Sequence, residues 1–275
     1  MARKAPFNER ISRRFQIAKG RTLRTIPGMK PLHKSVFFHM PKCGGTSVSE
    51  AMYATVPFNE RIGVIDAVST RVAAGILNFD IAERNRCHED LDFGQMTFDL
   101  REKLFLQHLS WDTMLVHGHL FWSDKAHLHY GEDYRYVTLL RDPLERMTSN
   151  FFMAQRAGLV GNDVEKYLAS NIARRHSQVY LRYLSGCNDI QEQDISRCTS
   201  IAKERISHFC LVGYLEDLWD FKKRYKNIFG VTLSMGNLNS APKTKSVFKN
   251  THLDLMKKMC KADYEIFNFS KSLNK

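Results

Sequence analysis

Residues 35–47 read Ser35-Val36-Phe37-Phe38-His39-Met40-Pro41-Lys42-Cys43-Gly44-Gly45-Thr46-Ser47. A short apolar run that ends at a proline and a glycine pair has the pattern of a buried strand entering a tight loop. Residues 46–54 then carry a helical pattern, so the chain passes directly from strand to loop to helix. Two further runs share this character: Thr113-Met114-Leu115-Val116 before His117-Gly118-His119, and Tyr136-Val137-Thr138-Leu139-Leu140 before Arg141. Near-continuous apolar strands separated by helical stretches predict an α/β fold, with a mostly parallel sheet covered by helices on both faces. In such a sheet ligands collect beyond the carboxyl ends of the strands, and all three polar clusters fall there.

Local signals extend this frame. Asp142 is placed to cap a helix, with Pro143 at its first position and Glu145 three residues after the cap. Helical periodicity runs over residues 164–183 up to Ser185-Gly186, residues 209–213 suit a strand, and residues 215–229 suit a helix stopped by Gly230. The tail from Asn239 onward carries no clear pattern.

At 275 residues the chain can bury a substantial core as one compact domain. Its 43% hydrophobic and 25% charged residues exclude disordered and collagen-like classes. The net charge of +12 is unevenly spread, because residues 1–34 hold ten Lys/Arg against the single acid Glu9. A boundary near Pro31 therefore divides a basic arm, residues 1–33, from a domain of residues 34–275. Such an arm suits an anionic surface or polymer as well as it suits a solvated tail. Its Arg-rich, acid-poor composition also matches an organellar transit segment, while Phe7, Ile11 and Phe15 at four-residue spacing suit a helix lying on a membrane or on the domain. No stretch approaches the roughly 20 apolar residues that span a bilayer, and the start has no apolar signal core; the expectation is a cytoplasmic protein. Cys43, Cys87, Cys187, Cys198, Cys210 and Cys260 form no close pairs of CxxC units, which predicts free thiols and no structural zinc site. Cys187 and Cys198 are close enough in sequence to close a short loop under oxidising conditions.

The loop after the first strand is an anion cradle by its chemistry. Gly44 and Gly45 let backbone N–H groups approach an oxyanion, the helix start adds partial positive charge, Thr46 and Ser47 add hydroxyl donors, and Lys42 adds a full charge. In a nucleotide triphosphatase loop the lysine follows the second glycine, whereas Lys42 precedes the pair. At the third strand end, Arg141 stands beside a helix start, where its planar guanidinium can grip phosphate through two hydrogen bonds. Ser149 lies two helical turns beyond Asp142 and returns to the same face. At the second strand end, His117 and His119 sit two apart in extended backbone, so both imidazoles can share a face while Gly118 relieves crowding. A neutral histidine suits removal of a hydroxyl proton near pH 7, with His119 the first choice as base and His117 as a base or an orienting group. His39 reads as structural, and Phe121 and Trp122 as a sugar-stacking platform or as core.

The string His-Met-Pro-Lys, Gly-Gly and Thr-Ser after a strand resembles the 5′-phosphosulfate loop of sulfotransferases that use 3′-phosphoadenosine 5′-phosphosulfate (PAPS), especially the branch acting on carbohydrates and glycosaminoglycans. Leu140-Arg141-Asp142-Pro143-Leu144-Glu145-Arg146 with Ser149 resembles the 3′-phosphate motif of that family. His117-Gly118-His119 is similar to the His-Gly-His of its uronyl 2-O-sulfotransferases. Residues 178–186 and 212–216 resemble later blocks of the same branch, so the likeness runs from about residue 35 to 245. It departs at Cys43, where threonine is commoner.

The resemblance implies a nucleotide-kinase-like fold, PAPS as sulfuryl donor without a metal, and a carbohydrate or other hydroxyl-bearing acceptor. It implies in-line displacement at sulfur, with His119 as base, Lys42 neutralising the leaving oxygen, and residues 42–47, Arg141 and Ser149 holding the donor. Glu50 and Asp124 are the carboxylates next in line as base. Lys243 and Lys245 stand as surface charges that could reach the 3′-phosphate or the acceptor. Two other functions stay open from the residues: a nucleotide-kinase-like phosphoryl-transfer enzyme, and a non-catalytic binder of anionic glycan or nucleic acid through residues 1–34. No specific nucleic-acid partner is expected.

Overall fold

The computed structural model describes residues 7–82, 90–235 and 247–273. Strands β1 (Lys34–Phe38), β2 (Ile62–Ile65), β3 (Leu115–Gly118), β4 (Tyr134–Leu140) and β5 (Leu211–Tyr214) form one sheet in the order β2-β3-β1-β4-β5. Every neighbouring pair is parallel, as the apolar runs predict. β1 is central. The chain leaves it toward β2 and β3 on one side and then crosses to β4 and β5 on the other. The carboxyl ends of β1, β3 and β4 therefore lie together at the point where the strand order reverses, the usual ligand crevice of an open parallel sheet.

Alternation along each strand separates two cores. Val36 and Phe38 face one side, packed with Phe105 and Leu109 of α4 (Leu91–Ser110), Ala126 of α5 (Asp124–Tyr130), Leu181 and Leu184 of α9 (Val179–Ser185), Ala202 of α10 (Ile195–Ile206) and Ile266 of α13 (Lys261–Leu273). Phe37 faces the other, with Val48 and Met52 of α2 (Gly45–Tyr53) and Phe221, Tyr225 and Phe229 of α11 (Leu218–Phe229). Phe37 and Phe38 are 0% and 2% exposed, so each contributes roughly 1.5–3 kcal/mol by burial. A third cluster joins α6 (Pro143–Arg156), α7 (Val164–Leu168), α8 (Asn171–Ser177) and α12 (Asn250–Met259) through Met147, Phe151, Tyr167, Ile172 and Met256. α3 (Ala67–Phe79) packs on α4, which in turn lies against β2 and β3.

The third cluster is tied to the first by an ion pair with no solvent exposure on either side: Arg146 Nη2 donates to Asp263 at 2.7 Å. Arg146 also donates to the carbonyl of His176, and Asp263 accepts the backbone N–H groups of Tyr180 and Leu181. Burial works against the Arg146 charge, and Asp263 together with Tyr180, Cys260 and Cys43 outweighs it, raising the guanidinium above its ordinary range.

Differences from the sequence reading have local causes. The periodic stretch 164–183 is three short helices, not one, because Ser170 caps α8 and Gln178, at φ −114° and ψ 32°, interrupts the helix before α9. Gly186 closes α9 at φ 72° and Gly230 closes α11 at φ 71° in the left-handed region, both as expected. The tail carries α12 and α13, while Asn239, Lys243 and Lys245 lie outside the described residues, as does Cys87. Cys43, Cys187, Cys198, Cys210 and Cys260 are free thiols. Within the expected basic arm, α1 (Phe7–Arg24) lies along α2. Gly20 passes so close that a Cβ there would sit 2.6 Å from the carbonyl oxygen of Ala54, and the Arg21 guanidinium donates to the carbonyls of Val56, Pro57 and Glu60. Ile11 and Phe15 are 50% and 69% exposed, so these two side chains face away from the domain. Among the described residues no helix is long and apolar enough to cross a membrane.

Candidate functional site

The loop from β1 to α2 is shaped first by its backbone. Lys42 and Gly44 take left-handed conformations, φ 63° and 77°. For a lysine this costs roughly 1–2 kcal/mol, so the surrounding packing holds the turn against its preference. Gly44 is the N-cap of α2 and offers no side-chain cap, and the first turn holds no acid. By contrast Asp66, Asp90 and Asp142 cap α3, α4 and α6 with their carboxylates. The N–H groups at the start of α2 thus face the crevice without a side-chain acceptor, which leaves them for an external anion.

Gly45 is required for a different reason. A Cβ at this position would fall 2.4 Å from Cδ2 and 2.6 Å from Nε2 of His39, so the imidazole fills the space a side chain would need. Cys43 points the other way. Its thiol is fully buried beneath the loop, 3.3 Å from the Tyr180 hydroxyl, and burial pushes it up to about 11; only its backbone can serve a ligand. The Lys42 ammonium has no hydrogen-bond or ion-pair partner among the described residues. Burial first, then Arg156 and Arg141, lower its pKa.

A cleft of about 1000 Å³ joins the strand ends. Lys42, Gly44, Gly45, Thr46 and Ser47 line it, together with Arg141, Ser149, His39 and His119. Arg13, Arg71, Arg101, Arg175 and Arg182 add cationic wall, and no Asp or Glu is among the described lining residues. The helix-start expectations hold in that Asp142 accepts from the Glu145 N–H and Pro143 opens α6; Ser149 lines the same cleft as Arg141. Arg141 pairs with Glu145 at 3.1 Å on the exposed side. Its backbone is fixed by one hydroxyl, since Tyr180 accepts from the Arg141 N–H at 2.8 Å and donates to its carbonyl.

The histidines separate into distinct roles. His119 Nδ1 lies 2.7 Å from the carbonyl oxygen of His39, an acceptor only, so Nδ1 carries the proton and Nε2 keeps its lone pair. Burial first, then His39, hold His119 well below its ordinary pKa, so it is neutral. Arg101 of α4 donates to the His119 carbonyl at 3.1 Å as well as to Thr70 and Ala67, which fixes the backbone at His119. His117 shares the face of His39 and His119, as the spacing predicts, but is absent from the cleft lining. It stacks on Phe37 and sits between Tyr53 and His39.

Several residues at the cleft carry no signal in the sequence. Asn150 is 2% exposed with an unpartnered Nδ2, one residue beyond Ser149. Arg175 and Arg182 share Asn188 as acceptor, and burial followed by Arg175 push the Arg182 guanidinium down to about 9. Periodicity marks both arginines only as helix members. The remaining candidates lie elsewhere: Trp122 is core, packed against Phe38, Tyr136 and Phe209, while Phe121 stacks on Phe98 beside a smaller cavity. Asp124 is held by Arg205 and Trp122, and Glu50 pairs with Arg13 at the rim. No protein-family model matches the chain, and neither does any curated protein.

Proposed function

We propose that this protein is a PAPS-dependent sulfotransferase acting on a hydroxyl, with a carbohydrate as acceptor, on a nucleotide-kinase-like fold. The observation that carries the reading is one cleft, lined by cations without a carboxylate, that gathers the uncapped start of α2, the Arg141–Ser149 pair and a neutral histidine with its lone pair free. An unpartnered buried amide at Asn150, costly when left unsatisfied, and a Lys42 ammonium without a partner among the described residues fit an anionic nucleotide.

The donor supplies an activated sulfuryl group; the rest falls to the chain. The N–H groups at the start of α2 and the hydroxyls of Thr46 and Ser47 hold the 5′-phosphate end. Arg141 and Ser149 hold the 3′-phosphate, and Asn150 lies within the same region of the wall. Lys42 neutralises charge that grows on the bridging oxygen as the S–O bond breaks. His119 takes the acceptor proton at Nε2, and the resulting imidazolium is stabilised by its Nδ1–H bond to the His39 carbonyl. The cationic wall from Arg13 to Arg182 favours entry of anionic reactants.

The test is a comparison of ligands. Adenosine 3′,5′-bisphosphate should raise the melting temperature well beyond ADP at equal concentration, and labelled sulfate should move from PAPS to one or more members of a glycan and alcohol panel. Equal shifts with the two nucleotides, together with phosphoryl transfer from ATP and Mg²⁺, would point to the kinase-like alternative.

A further inference from the structure

Three side chains outside the donor loop form a continuous chain that ends in the cleft. Tyr53 Oη of α2 lies 2.7 Å from His117 Nδ1, and His117 Nε2 lies 3.1 Å from His39 Nδ1. His39 Nε2 then reaches the cleft beside Gly45, and the His39 ring stacks on His119 at 4.4 Å between centroids. His39 therefore stands between the two groups that any transfer must bring together, the anion-binding loop and the base.

Two proton arrangements satisfy such a chain. In one, Tyr53 donates to His117 Nδ1, His117 Nε2–H donates to His39 Nδ1, and His39 presents Nε2–H to the cleft. In the other every proton is reversed, and His39 presents a lone pair. Phosphate and sulfuryl oxygens accept but do not donate, so a lone pair facing them is repelled and only the first arrangement is compatible with an anion at that place. Burial pushes the Tyr53 hydroxyl up to about 12, so the tyrosine keeps the proton it must donate. Burial lowers His117 to about 3 and His39 to about 4, so neither imidazole carries a second proton that would free the chain from this choice.

Resting on the sulfotransferase reading above, we infer that His39 is a hydrogen-bond donor to the sulfuryl group in transfer, and that Tyr53 and His117 are positioning residues that hold it in the Nε2–H tautomer. The cleft thus offers the acceptor oxygen a lone pair from His119 and the sulfuryl oxygens an N–H from the ring stacked on it. The opposite tautomers of the two stacked imidazoles are the signature.

Imidazole ¹⁵N spectra of the full-length protein, assigned by loss of signals in His39→Leu and His117→Leu, test it in the presence of adenosine 3′,5′-bisphosphate and inorganic sulfate. The expected result is a protonated Nε2 on His39 and on His117, a protonated Nδ1 on His119, and, without the anions, a mixture of His39 tautomers in Tyr53→Phe. In turnover, His39→Leu should lower kcat by about 10²-fold with little change in the KM for PAPS, and His39→Gln, which places an N–H near the Nε2 position, should recover most of the loss. An unprotonated His39 Nε2 with both anions bound, or His39→Leu at the parent kcat, overturns the inference while leaving a measured sulfation intact. If instead no acceptor is sulfated, the sulfotransferase reading fails, and the His39 proton in the anion-bound spectra still decides whether the ring donates. Should a leucine variant not fold, tautomers of the parent protein, assigned from Tyr53→Phe and sequential labelling, give the same decision.

Discussion

Asp263→Asn replaces a buried carboxylate by an isosteric amide and leaves the volume of the site unchanged. In the parent the two carboxylate oxygens accept Arg146 Nη2 at 2.7 Å and the N–H groups of Tyr180 and Leu181 at 2.9 Å each. An asparagine keeps one acceptor and turns the other into an NH₂ that faces a donor whichever way it is flipped. It also strands the Arg146 charge, 0% exposed, without its counterion. Breaking a buried pair from one side costs about 3–5 kcal/mol, and a lost backbone acceptor lies within the same range, so a loss of about 4 kcal/mol is expected. Against a total of about 5–15 kcal/mol the variant still folds but with a large deficit. With a urea slope of about 3 kcal/mol/M, the midpoint should fall by more than 1 M, read by tryptophan fluorescence and circular dichroism together. Function should follow, because the Tyr180 ring rests on the Arg146 guanidinium at 4.8 Å and its hydroxyl fixes Arg141. Adenosine 3′,5′-bisphosphate should therefore bind more weakly to the variant. A midpoint within 0.3 M of the parent, or about 1 kcal/mol at that slope, would refute the assignment of this pair as the tie between the third cluster and the sheet.

Burial holds His119 neutral, so turnover should stay level as pH falls through the ordinary histidine value of about 6.5, with the acid limb lower; a limb centred at 6.5 in a kcat profile would contradict this. His119→Ala should lose about 10²–10⁴-fold in turnover and the limb with it. The same depression makes the folded state bind fewer protons than the unfolded one. The histidine contribution to stability is thus complete above about pH 6.5 and declines as pH falls toward the folded values, about 4 for His39 and about 3 for His117, which urea titrations across that window will show. Removal of residues 1–25 should lower the melting temperature by about 5–10 °C, because Arg21 alone satisfies three carbonyls; an unchanged melting curve would show that α1 contributes no stability.

The sheet was legible because its strands are buried on both faces, which forces apolar side chains at consecutive positions such as Val36, Phe37 and Phe38. The strand ends, the Asp142 cap and the Gly230 stop follow from chemistry within a few residues. What escaped depends on distance in sequence. Arg101 supports His119 from α4, Asp263 reaches Arg146 from α13, and Arg13 reaches the rim from α1; each is an ordinary surface residue until the chain folds. The stretch 164–183 misleads for the opposite reason, since its period survives across breaks made by single residues at Ser170 and Gln178. His39 reads as structural because nothing in the sequence places His117 and Tyr53 behind it.

Tyr180 touches both halves of the cleft: the thiol of Cys43 under the first loop, and the N–H and carbonyl of Arg141 at the second. All three contacts meet at one atom, the Tyr180 hydroxyl oxygen, so the short, directional bonds around it act as a gauge block that fixes two loops far apart in sequence against each other. A flexible ligand with the right charges but a different span between them meets a spacing that cannot yield to it. Selectivity at this crevice is therefore a matter of length as well as charge, and the gauge sits in the core, on a helix that offers the ligand no charge of its own at that position.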